Sequence, residues 1–591
     1  MRINPYINLP SFKGAALAYP NSYLEINGYS TSLLHSPVGE DYLGANIEGF
    51  ETKDTLLGKV LATNISKGSK KAELNTEDGP KIVRFNPENA IRNSTLAEKR
   101  ICAQPPLRII GKGTAKGKVV FYPDDEALRK SVKHKSIREP IIAVVDSPGA
   151  TGSIYGYEYS NHPLVKAIIF ANRDEGSLCH SIAQVRNSTE VAAMVYDKKV
   201  INKLKKLEGK TIELNINHKG INFKKISPDE VENKIKEKRI VKIRPMSSEA
   251  RILKPGELTR DNAGPKAYNL QRLLDMQEEG KLKNVKIPPF FVVPVGIFDS
   301  FLKAYPENAK PFKEYVKQLE DNLTYEEASK VCHNTGNYIY NMLSPNRIEN
   351  MPAAAQEHYK AVAEQLDKDI KEIIDSPEDY LIVRSAFNGE DTPNYSAAGI
   401  YRSCNYAQAN VNDVMNGLID VWRSQYGMSA YLSRKENGIP EDAIKPCAII
   451  QKEMIPDYKF TVYTEDLVDP DSLFIEMSST TKNHEYVDLT ADPNIIKYNK
   501  KTGKLTFIAK ERFNEPVITD LKGKVVIASP QKSELADNYE EWEPTLKELA
   551  QSCLEISDEF DAPQDIEGGV NVEEGKHQIY LWQTRNIVKA C

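Results

Sequence analysis

Five short runs of β-branched and other apolar residues divide residues 105–222 into regular pieces. They read KVVFY, PIIAVVD, VKAIIFAN, VAAMVYD and TIELNIN, and turn-rich or helix-compatible segments separate them. Runs of this length, bounded by turn residues and alternating with helical patterns, are typical of the strands of an α/β domain. The sequence therefore predicts a compact α/β domain at residues 105–225.

The rest of the chain divides into three parts. Residues 1–104 are rich in Asn, Ser, Gly and Pro, and no chemistry can be assigned to them. Residues 226–255 form a charged segment without a steady apolar period, which predicts a linker or a solvated helix. Residues 256–591 contain a helix (GPKAYNLQRLLDM), a strand (PFFVVPV), long helical stretches and a late amphipathic helix (PTLKELAQSCLEISDEF). We therefore expect a multidomain protein of mixed α/β and α+β class.

Composition excludes several classes of protein. The chain has 591 residues and a net charge of −5, whereas nucleic-acid binding usually requires a basic domain or stripe. Its seven cysteines are scattered and form no C-x-x-C pair, which argues against a disulfide framework or a zinc site. No apolar stretch approaches the ~18 residues of a membrane helix, and the first twenty residues lack the apolar core of a signal peptide. The prediction is a cytoplasmic chain without nucleic-acid or membrane partners.

The stretch LIVRSAFNGEDTPNYSAAGIYRS, residues 381–403, combines a buried strand, an arginine at its end and a loop of small residues. Arg384 alone would be read as a surface residue or a salt-bridge partner. A planar guanidinium can also hold two phosphate oxygens, and a small-residue loop lets backbone N–H groups close on a polyphosphate. The sequence has neither a Walker loop nor a G-x-G-x-x-G after a strand. A nucleotide site here would therefore need another architecture.

Further residues suited to such a site lie far from Arg384 in sequence. Lys266 opens the helix GPKAYNL, where the helix dipole favours an anion. Glu567 lies in the strand PQDIEGGV, and Gln583 and Arg585 share one face of the strand IYLWQTRN. A carboxylate and an amide oxygen beside an arginine suit magnesium bridged to phosphates. Lys266 as a solvated helix residue and Glu567 as an edge-strand charge are the alternatives when each is taken alone.

Four separated stretches resemble the ATP-grasp domain of the dikinase superfamily: VRSAFNGEDTPNYSAAGIYRS, VWRSQYGMSAYLSR, AIIQKEMIPDYKFTVYTED, and QDIEGGV with IYLWQTRN. That superfamily includes pyruvate, phosphate dikinase, phosphoenolpyruvate synthase, rifampicin phosphotransferase and the α-glucan, water dikinases. The forms SAAGIYRS and PDYKFTVYT are most similar to the glucan, water dikinases. The resemblance extends over residues 105–591. It implies a swivelling phosphohistidine β/α domain at 105–225 and a C-terminal ATP-grasp domain at 256–591.

The resemblance assigns the phosphoryl carrier to His180, in the stretch RDEGSLCHSIAQVRNSTEVAAMVYD, with Arg186 in the place of the family arginine. A neutral imidazole nitrogen is a competent phosphoryl acceptor near pH 7, although a single histidine is more often structural. Two departures from the family pattern stand out. Cys179 replaces the usual Ser or Thr, and residues 473–504 lack the Gly-Leu-Gly-Glu turn that family members commonly carry.

The resemblance also implies the contacts of ATP and Mg²⁺. The triphosphate and phosphate-loop contacts are Lys266, Arg384, Gly399 and Ser403. The adenine contacts are the backbone around Gln451, Glu453 and Met454. The magnesium ligands are Glu567 and Gln583, and Arg585 would steady the transferring phosphate. The catalytic residues implied in this way are His180, Arg384 and Arg585.

The expected activity is that of a dikinase-type phosphotransferase with paired acceptors. ATP phosphorylates His180, AMP and phosphate are released, and the histidine passes its phosphate to an α-glucan hydroxyl. Two alternatives use the same domains: a catalytically weakened regulatory relative, and a phosphotransferase that acts on pyruvate or another small molecule. Pyruvate is the less expected acceptor, because no segment corresponds to the additional ~250-residue barrel that would bind it. An ATP-grasp carboxylate ligase explains the nucleotide site but leaves His180 without a role.

Overall fold

The structure is a computed structural model. Beside five short strands, it describes residues 107–147, 159–160, 162–171, 185, 189, 191–195, 197–217, 220–231, 240–391, 397, 400–466, 469–479, 486–487, 493–509, 517–519, 525–527, 535, 538–573 and 575–587. The short strands are β1 Glu25–Ile26, β2 Tyr29–Ser30, β3 Val60–Leu61, β4 Lys71–Thr76 and β5 Gly79–Arg84. Within these ranges, every helix is too short or too polar to span a membrane.

A seven-stranded sheet organises residues 107–225, in the order β12-β11-β7-β8-β9-β10-β6. Its strands are β6 Leu107–Gly111, β7 Gly113–Asp124, β8 Ile141–Ser147, β9 Val165–Ala171, β10 Ala192–Val195, β11 Thr211–Asn217 and β12 Gly220–Lys225. Strands β7 to β10 are parallel, and antiparallel strands flank them on both sides. Helices α1 (Asp125–Lys133) and α2 (Lys198–Lys205) follow β7 and β10. The apolar runs of the sequence are β7 to β11, so the mixed α/β character is confirmed.

Three further sheets and eight α-helices lie in the described part of residues 240–587. The helices are α3 Gly264–Glu278, α4 Val295–Ala304, α5 Pro306–Gln318, α6 Tyr325–Leu343, α7 Ala353–Ile373, α8 Val411–Ser424, α9 Met428–Glu436 and α10 Tyr539–Glu559. The four-stranded sheet has the order β14-β17-β15-β16, with β14 Phe290–Val293, β15 Tyr380–Ser385, β16 Ser403–Gln408 and β17 Ala448–Lys452. The helices expected at GPKAYNLQRLLDM and PTLKELAQSCLEISDEF are α3 and α10.

The second seven-stranded sheet has the order β13-β26-β25-β18-β19-β21-β22. Its strands are β13 Val285–Lys286, β18 Tyr458–Tyr463, β19 Ser472–Ser479, β21 Asn494–Asn499, β22 Leu505–Ala509, β25 Gln564–Glu573 and β26 Lys576–Asn586. Three short strands, β20 Tyr486–Val487, β23 Val517–Thr519 and β24 Val525–Ile527, form a separate sheet. The expected pair of strands at QDIEGGV and IYLWQTRN is the antiparallel pair β25–β26.

The four-stranded sheet lies between two hydrophobic cores. Phe291 and Val293 of β14 pack with the helices α4 to α9, whereas Phe290 and Val292 face the core shared with α3, α10 and the larger sheet. Because side chains alternate along a strand, a strand that is buried on both faces reads as an unbroken apolar run, as PFFVVPV does. The larger sheet therefore approaches one face of the smaller sheet, and polar groups at their common edge can meet.

Residues 240–250 run along the part of the protein that α3 to α10 and the sheets of residues 285–586 form. Residues 240–250 form neither helix nor strand. Gly296 of α4 lies so close to them that a Cβ atom there would be 1.8 Å from the carbonyl oxygen of Glu249. The expected domain boundaries, the swivelling domain and the ATP-grasp arrangement stay predictions.

Candidate functional site

Arg384 is a buried link between the two sheets. It is the fifth residue of β15, and its neighbour Val383 faces the helical core, so that Arg384 points towards the larger sheet. Its Nη1 donates a 2.6 Å hydrogen bond to the carbonyl oxygen of Trp582, and its Nη2 donates to Oε1 of Gln583. The side chain is 7% exposed. Arg384 is therefore not a surface residue.

A β-bulge supplies one of these partners. In the pairing of β25 with β26, Glu567 is opposite Gln583 but Gly568 is opposite Leu581, so Trp582 is the extra residue. A bulged residue is left out of the ladder, and its carbonyl can point elsewhere. Here the carbonyl of Trp582 accepts the bond from Arg384. The irregularity thus attaches the four-stranded sheet to β26.

Glu567, Gln583 and Arg585 form one hydrogen-bonded group on β25 and β26. Nε2 of Gln583 donates to Oε1 of Glu567 at 3.1 Å, and Nη2 of Arg585 lies 3.4 Å from the same oxygen. Arg585 also makes a two-pronged contact with Oδ2 of Asp565, at 3.1 and 2.9 Å. Nη2 of Arg384 lies 4.0 Å from Oε2 of Glu567. The strand alternation predicted from the sequence therefore places Gln583 and Arg585 against one carboxylate.

Burial and charge act differently on the two arginines. Burial lowers the pKa of Arg384, and the carboxylates of Glu567 and Glu390 oppose that shift without cancelling it. Burial would also lower the pKa of Arg585, but Asp565 and Glu567 outweigh it and raise that pKa. Both guanidinium groups stay protonated under any physiological condition. The site therefore holds two permanent positive charges that water screens little.

Lys266 lies near the same group and is paired with Glu390, a carboxylate to which the sequence analysis gave no role. Nζ of Lys266 lies 2.7 Å from Oε2 of Glu390. Helix α3 reaches this position because Gly264, at its first residue, has a φ of +75° and lies against the backbone of Ala386. Lys266 is thus an ion-pair partner at the end of β15, and the alternative of a solvated helix residue is wrong.

Asp391 completes the group and was also missed. It has a left-handed backbone with a φ of +50°, and its Oδ2 is buried without a hydrogen-bond partner among the described residues. Burial raises the pKa of Asp391, while the positive charges of Lys266 and Arg585 pull it down. The acidic pair Glu390–Asp391 in the stretch NGEDTP was the available signal in the sequence.

The residues expected around adenine lie where the chain passes between the sheets. Gln451 is in β17, and residues 453–457 connect that strand to β18 of the larger sheet. Nε2 of Gln451 donates to the carbonyl oxygen of Pro288 at 3.2 Å, and the backbone N–H of Glu453 donates to the carbonyl oxygen of Tyr380 at 2.8 Å. The connection is therefore held against β14 and β15, while Met454 is half-buried in it.

Three other expected site residues fall outside this group or outside the described residues. Ser403 is exposed at the start of β16 and is the register partner of Arg384. Gly399 and His180 lie outside the described residues, as do Cys179 and part of the stretch where the family turn is missing. In the described ranges, no three His, Cys, Asp or Glu side chains are close enough to hold a metal ion. A divalent cation would therefore need ligands of another kind beside Glu567.

Magnesium fits the residues that are present. Glu567 is 31% exposed, and the amide of Gln583 faces it across the β25–β26 pair. One carboxylate and one amide oxygen, completed by phosphates and water, is a ligand set that Mg²⁺ prefers. Arg384 and Arg585 beside them, with Lys266 at Glu390, suit a polyphosphate, since lysine and arginine are its usual protein partners.

Comparisons with known proteins identify the domain that contains these residues. The family model of the pyruvate phosphate dikinase AMP/ATP-binding domain matches residues 260–590, more than half of the chain. A probable phosphoenolpyruvate synthase of Pyrococcus horikoshii is 22% identical over 302 residues, which are 49% of this chain and 35% of that protein. The phosphoenolpyruvate synthase of Pyrococcus furiosus is 22% identical over 299 residues, with the same two shares.

A plant protein is similar over a longer part of the chain. Alpha-glucan water dikinase 2 of Arabidopsis thaliana is 22% identical over 362 residues, which are 60% of this chain and 23% of that protein. The chain thus spans about a third or less of the length of these curated relatives. Because the domain match covers more than half of the sequence, the chain belongs to the dikinase superfamily, in the family of the pyruvate phosphate dikinase AMP/ATP-binding domain.

Proposed function

We propose that this protein is an ATP-dependent phosphotransferase of the dikinase type, with His180 as the phosphoryl carrier. The observation that supports it most is the meeting of Arg384 and Arg585 with Glu567 and Gln583 inside the matched domain, together with the Lys266–Glu390 ion pair at the end of the strand that carries Arg384. These residues come from four elements, α3, β15, β25 and β26. Such convergence of opposite charges in a buried place favours a ligand that is itself highly charged.

In this proposal, Lys266 and Arg384 hold the triphosphate and Arg585 faces the phosphoryl group that is transferred. Glu567 and Gln583 would hold magnesium, which would supply positive charge that neutralises the polyphosphate. Catalysis then consists of positioning and neutralisation, as in phosphoryl transfer generally. Ser403 and Gly399 line the phosphate loop, and the backbone from Gln451 to Met454 receives the adenine.

The proposed reaction has three steps. A ring nitrogen of His180 bonds to the β-phosphorus of ATP as the bond from that phosphorus to the α–β bridging oxygen breaks, which releases AMP and leaves a pyrophosphorylated histidine. Water then attacks the γ-phosphorus, the bond from that phosphorus to the β–γ bridging oxygen breaks, and orthophosphate leaves with a proton released to solvent. An acceptor hydroxyl then attacks the phosphohistidine, gives up its proton, and restores the imidazole. We propose an α-glucan hydroxyl as this acceptor, on the basis of the similarity to a glucan dikinase over 60% of the chain.

The test is transfer from [β-³²P]ATP with magnesium, with and without soluble α-glucans. We expect labelled protein, AMP as the nucleotide product, and loss of the label in His180→Ala. His333→Ala is the matched control, because His333 is exposed on α6 and should leave labelling unchanged. Label that persists in His180→Ala would refute the carrier assignment, and ADP as product would point to a ligase.

Two observations favour other acceptors or none. The similarity to phosphoenolpyruvate synthases makes pyruvate the second candidate acceptor, so it belongs in the same assay. Cys179 and the missing Gly-Leu-Gly-Glu turn favour a regulatory relative that binds nucleotide without turning it over. ATP binding without AMP formation for any acceptor would establish that second function.

A further inference from the structure

Glu390 is held in place by its own turn, before any contact with Lys266 is considered. Its Oε1 accepts a 2.9 Å bond from the backbone N–H of Phe387, and its own N–H donates to the carbonyl oxygen of Phe387 at 2.9 Å. The hydroxyl of Ser385 donates to Oε2 at 3.1 Å. With 3% of its side chain exposed, this carboxylate is a fixed negative charge at the end of β15.

Lys266 is brought to this carboxylate by an equally fixed helix. Gly264 lies so close to β15 that a Cβ atom there would be 2.2 Å from the carbonyl oxygen of Ala386. Lys266, two residues later, is 11% exposed and places Nζ 2.7 Å from Oε2 of Glu390. Glu390 is its one hydrogen-bond partner among the described residues, which leaves two N–H donors for a ligand.

The surroundings distinguish this ion pair from a purely structural one. Arg434 and Glu441 also form a pair, at 2.6 Å, but both side chains are completely buried. Lys266 instead acts electrostatically on Asp391, on which Arg585 and Glu567 act as well. The ammonium group therefore belongs to the polar group that we propose as the nucleotide site, and Glu390 is its anchor there.

We propose that Glu390 is a positioning residue that holds the Lys266 ammonium group towards the β- and γ-phosphates of bound ATP. This inference rests on the proposed nucleotide site. A lysine side chain loses rotamer freedom when it is ordered, and an anchor that orders it beforehand removes that cost from binding. The residue then determines selectivity for a triphosphate over a monophosphate, since AMP has no phosphate beyond the α position.

The test is the binding of ATP and of AMP, measured by calorimetry with magnesium, for the wild type, Glu390→Gln, Lys266→Met and the double variant. Glutamine keeps the size of the side chain and an oxygen for the Phe387 N–H, but loses the charge. We expect Glu390→Gln to raise the Kd for ATP about tenfold, the equivalent of one hydrogen bond to a charged group, with the Kd for AMP changed less than about twofold. In the Lys266→Met background, the same substitution should have almost no further effect.

Two controls separate positioning from folding. Glu441→Gln removes a charge from the other buried pair, and should lower thermal stability while the ratio of ATP to AMP affinity stays at the wild-type value. Ser385→Ala loosens the Glu390 carboxylate without touching either charge, and should weaken ATP binding in the same direction by a smaller factor.

Three results would overturn the inference while the proposed function stands: equal losses for ATP and AMP, additive losses in the double variant, or tighter ATP binding by Glu390→Gln. The last would identify Glu390 as a competitor of the phosphates. A wild-type protein that binds neither nucleotide would instead refute the proposed function, and with it this inference.

Discussion

At the scale of single residues, the proposed nucleotide site is held together by hydrogen bonds between its own side chains. A bound ligand would have to replace some of these hydrogen bonds with its own. The amide oxygen of Gln583 accepts a hydrogen bond from Arg384, and its NH₂ group donates one to Glu567. A cation on Glu567 would repel that NH₂ group and attract the oxygen instead. Turning the amide then breaks the bond to Arg384. Magnesium binding is therefore expected to free Arg384 for a phosphate.

We predict that Gln583→Met binds ATP about tenfold more tightly than the wild type when magnesium is removed with EDTA. The competing hydrogen bond to Arg384 is worth about 1.5 kcal/mol, which corresponds to that factor. With magnesium present we expect the wild type to bind ATP more tightly than the variant, because methionine lacks the amide oxygen that we propose as a magnesium ligand. Calorimetry in both buffers measures this, with Gln578→Met on the same strand as control. Weaker ATP binding by Gln583→Met in both buffers would show that the Gln583 amide does not compete with the phosphates for Arg384.

Gly264 gives a second prediction at this scale. Alanine there would have to adopt a φ of +75° and place its Cβ 2.2 Å from the carbonyl oxygen of Ala386. We expect Gly264→Ala to lower the free energy of unfolding by at least about 2 kcal/mol, and to abolish ATP binding as Lys266 is displaced. Urea unfolding measures the first effect.

The matched control for this substitution is Gly280→Ala. Gly280 has a similar φ of +72°, but nothing lies within 4 Å of the position of an added Cβ. In that variant the free energy of unfolding should fall only by the cost of placing alanine in a left-handed conformation, about 1 kcal/mol. Equal losses in the two variants would mean that the contact with Ala386 costs nothing.

At the scale of elements, helix α10 supports the strand that carries Gln583 and Arg585. The ring of Trp542 on α10 stacks on that of His577 on β26, with centroids 4.0 Å apart. The hydroxyl of Thr545, one turn further along the helix, lies 2.7 Å from Nδ1 of His577. A protonated ring would carry a charge into this half-buried contact. The contact between α10 and β26 should therefore depend on pH.

Burial lowers the pKa of His577 below the usual value of about 6.5, and Glu541 opposes this only in part. A depressed pKa means that the unfolded chain takes up the proton first. The stability that His577 contributes is thus complete above about pH 6.5 and is lost as the pH falls through its folded-state pKa.

We predict that the melting temperature falls less between pH 7.5 and pH 5 in His577→Gln than in the wild type. Thermal unfolding followed by circular dichroism measures both slopes. His333→Gln, an exposed position on α6, is the control and should keep the wild-type slope. An unchanged slope in His577→Gln would show that this histidine does not link stability to pH.

At the scale of the whole molecule, the hydrophobic cores separate along the chain. The two clusters around the first sheet use residues between Ile110 and Ile216. The two clusters around the other large sheets use residues between Val241 and Leu581. These separate cores are consistent with two domains joined near residues 226–255, which stays a prediction.

We predict that differential scanning calorimetry resolves more than one thermal unfolding transition. ATP with magnesium should raise the midpoint temperature of only one of them. A ligand at a hundred times its Kd stabilises the unit that binds it by about 2.7 kcal/mol. The shifted transition should be the one that Gly264→Ala lowers, because both belong to residues 240–587. A nucleotide-induced shift of every transition would contradict independent domains.

Much of the local structure could be predicted from the sequence. The period-2 and unbroken apolar runs predicted β7 to β11, β14 and the β25–β26 pair, and the three-to-four residue period predicted α10. Alternation along a strand also predicted that Gln583 and Arg585 would act together, and both contact Glu567. These features depend on neighbouring residues, for which the sequence alone is sufficient.

The partners of the charged residues were decided by the tertiary structure. Lys266 and Glu390 are 124 positions apart, and Arg384 and Gln583 are 199 apart. The carbonyl of Trp582 is available only because a bulge turns it out of the ladder. The sequence by itself determined which charges and which strands the protein has. Only the packing of two sheets on a shared core decided which charges meet, because ion pairs form between residues that are close in space, not in sequence. Every residue has a backbone carbonyl, so the residue type does not show which carbonyl is free to accept a hydrogen bond.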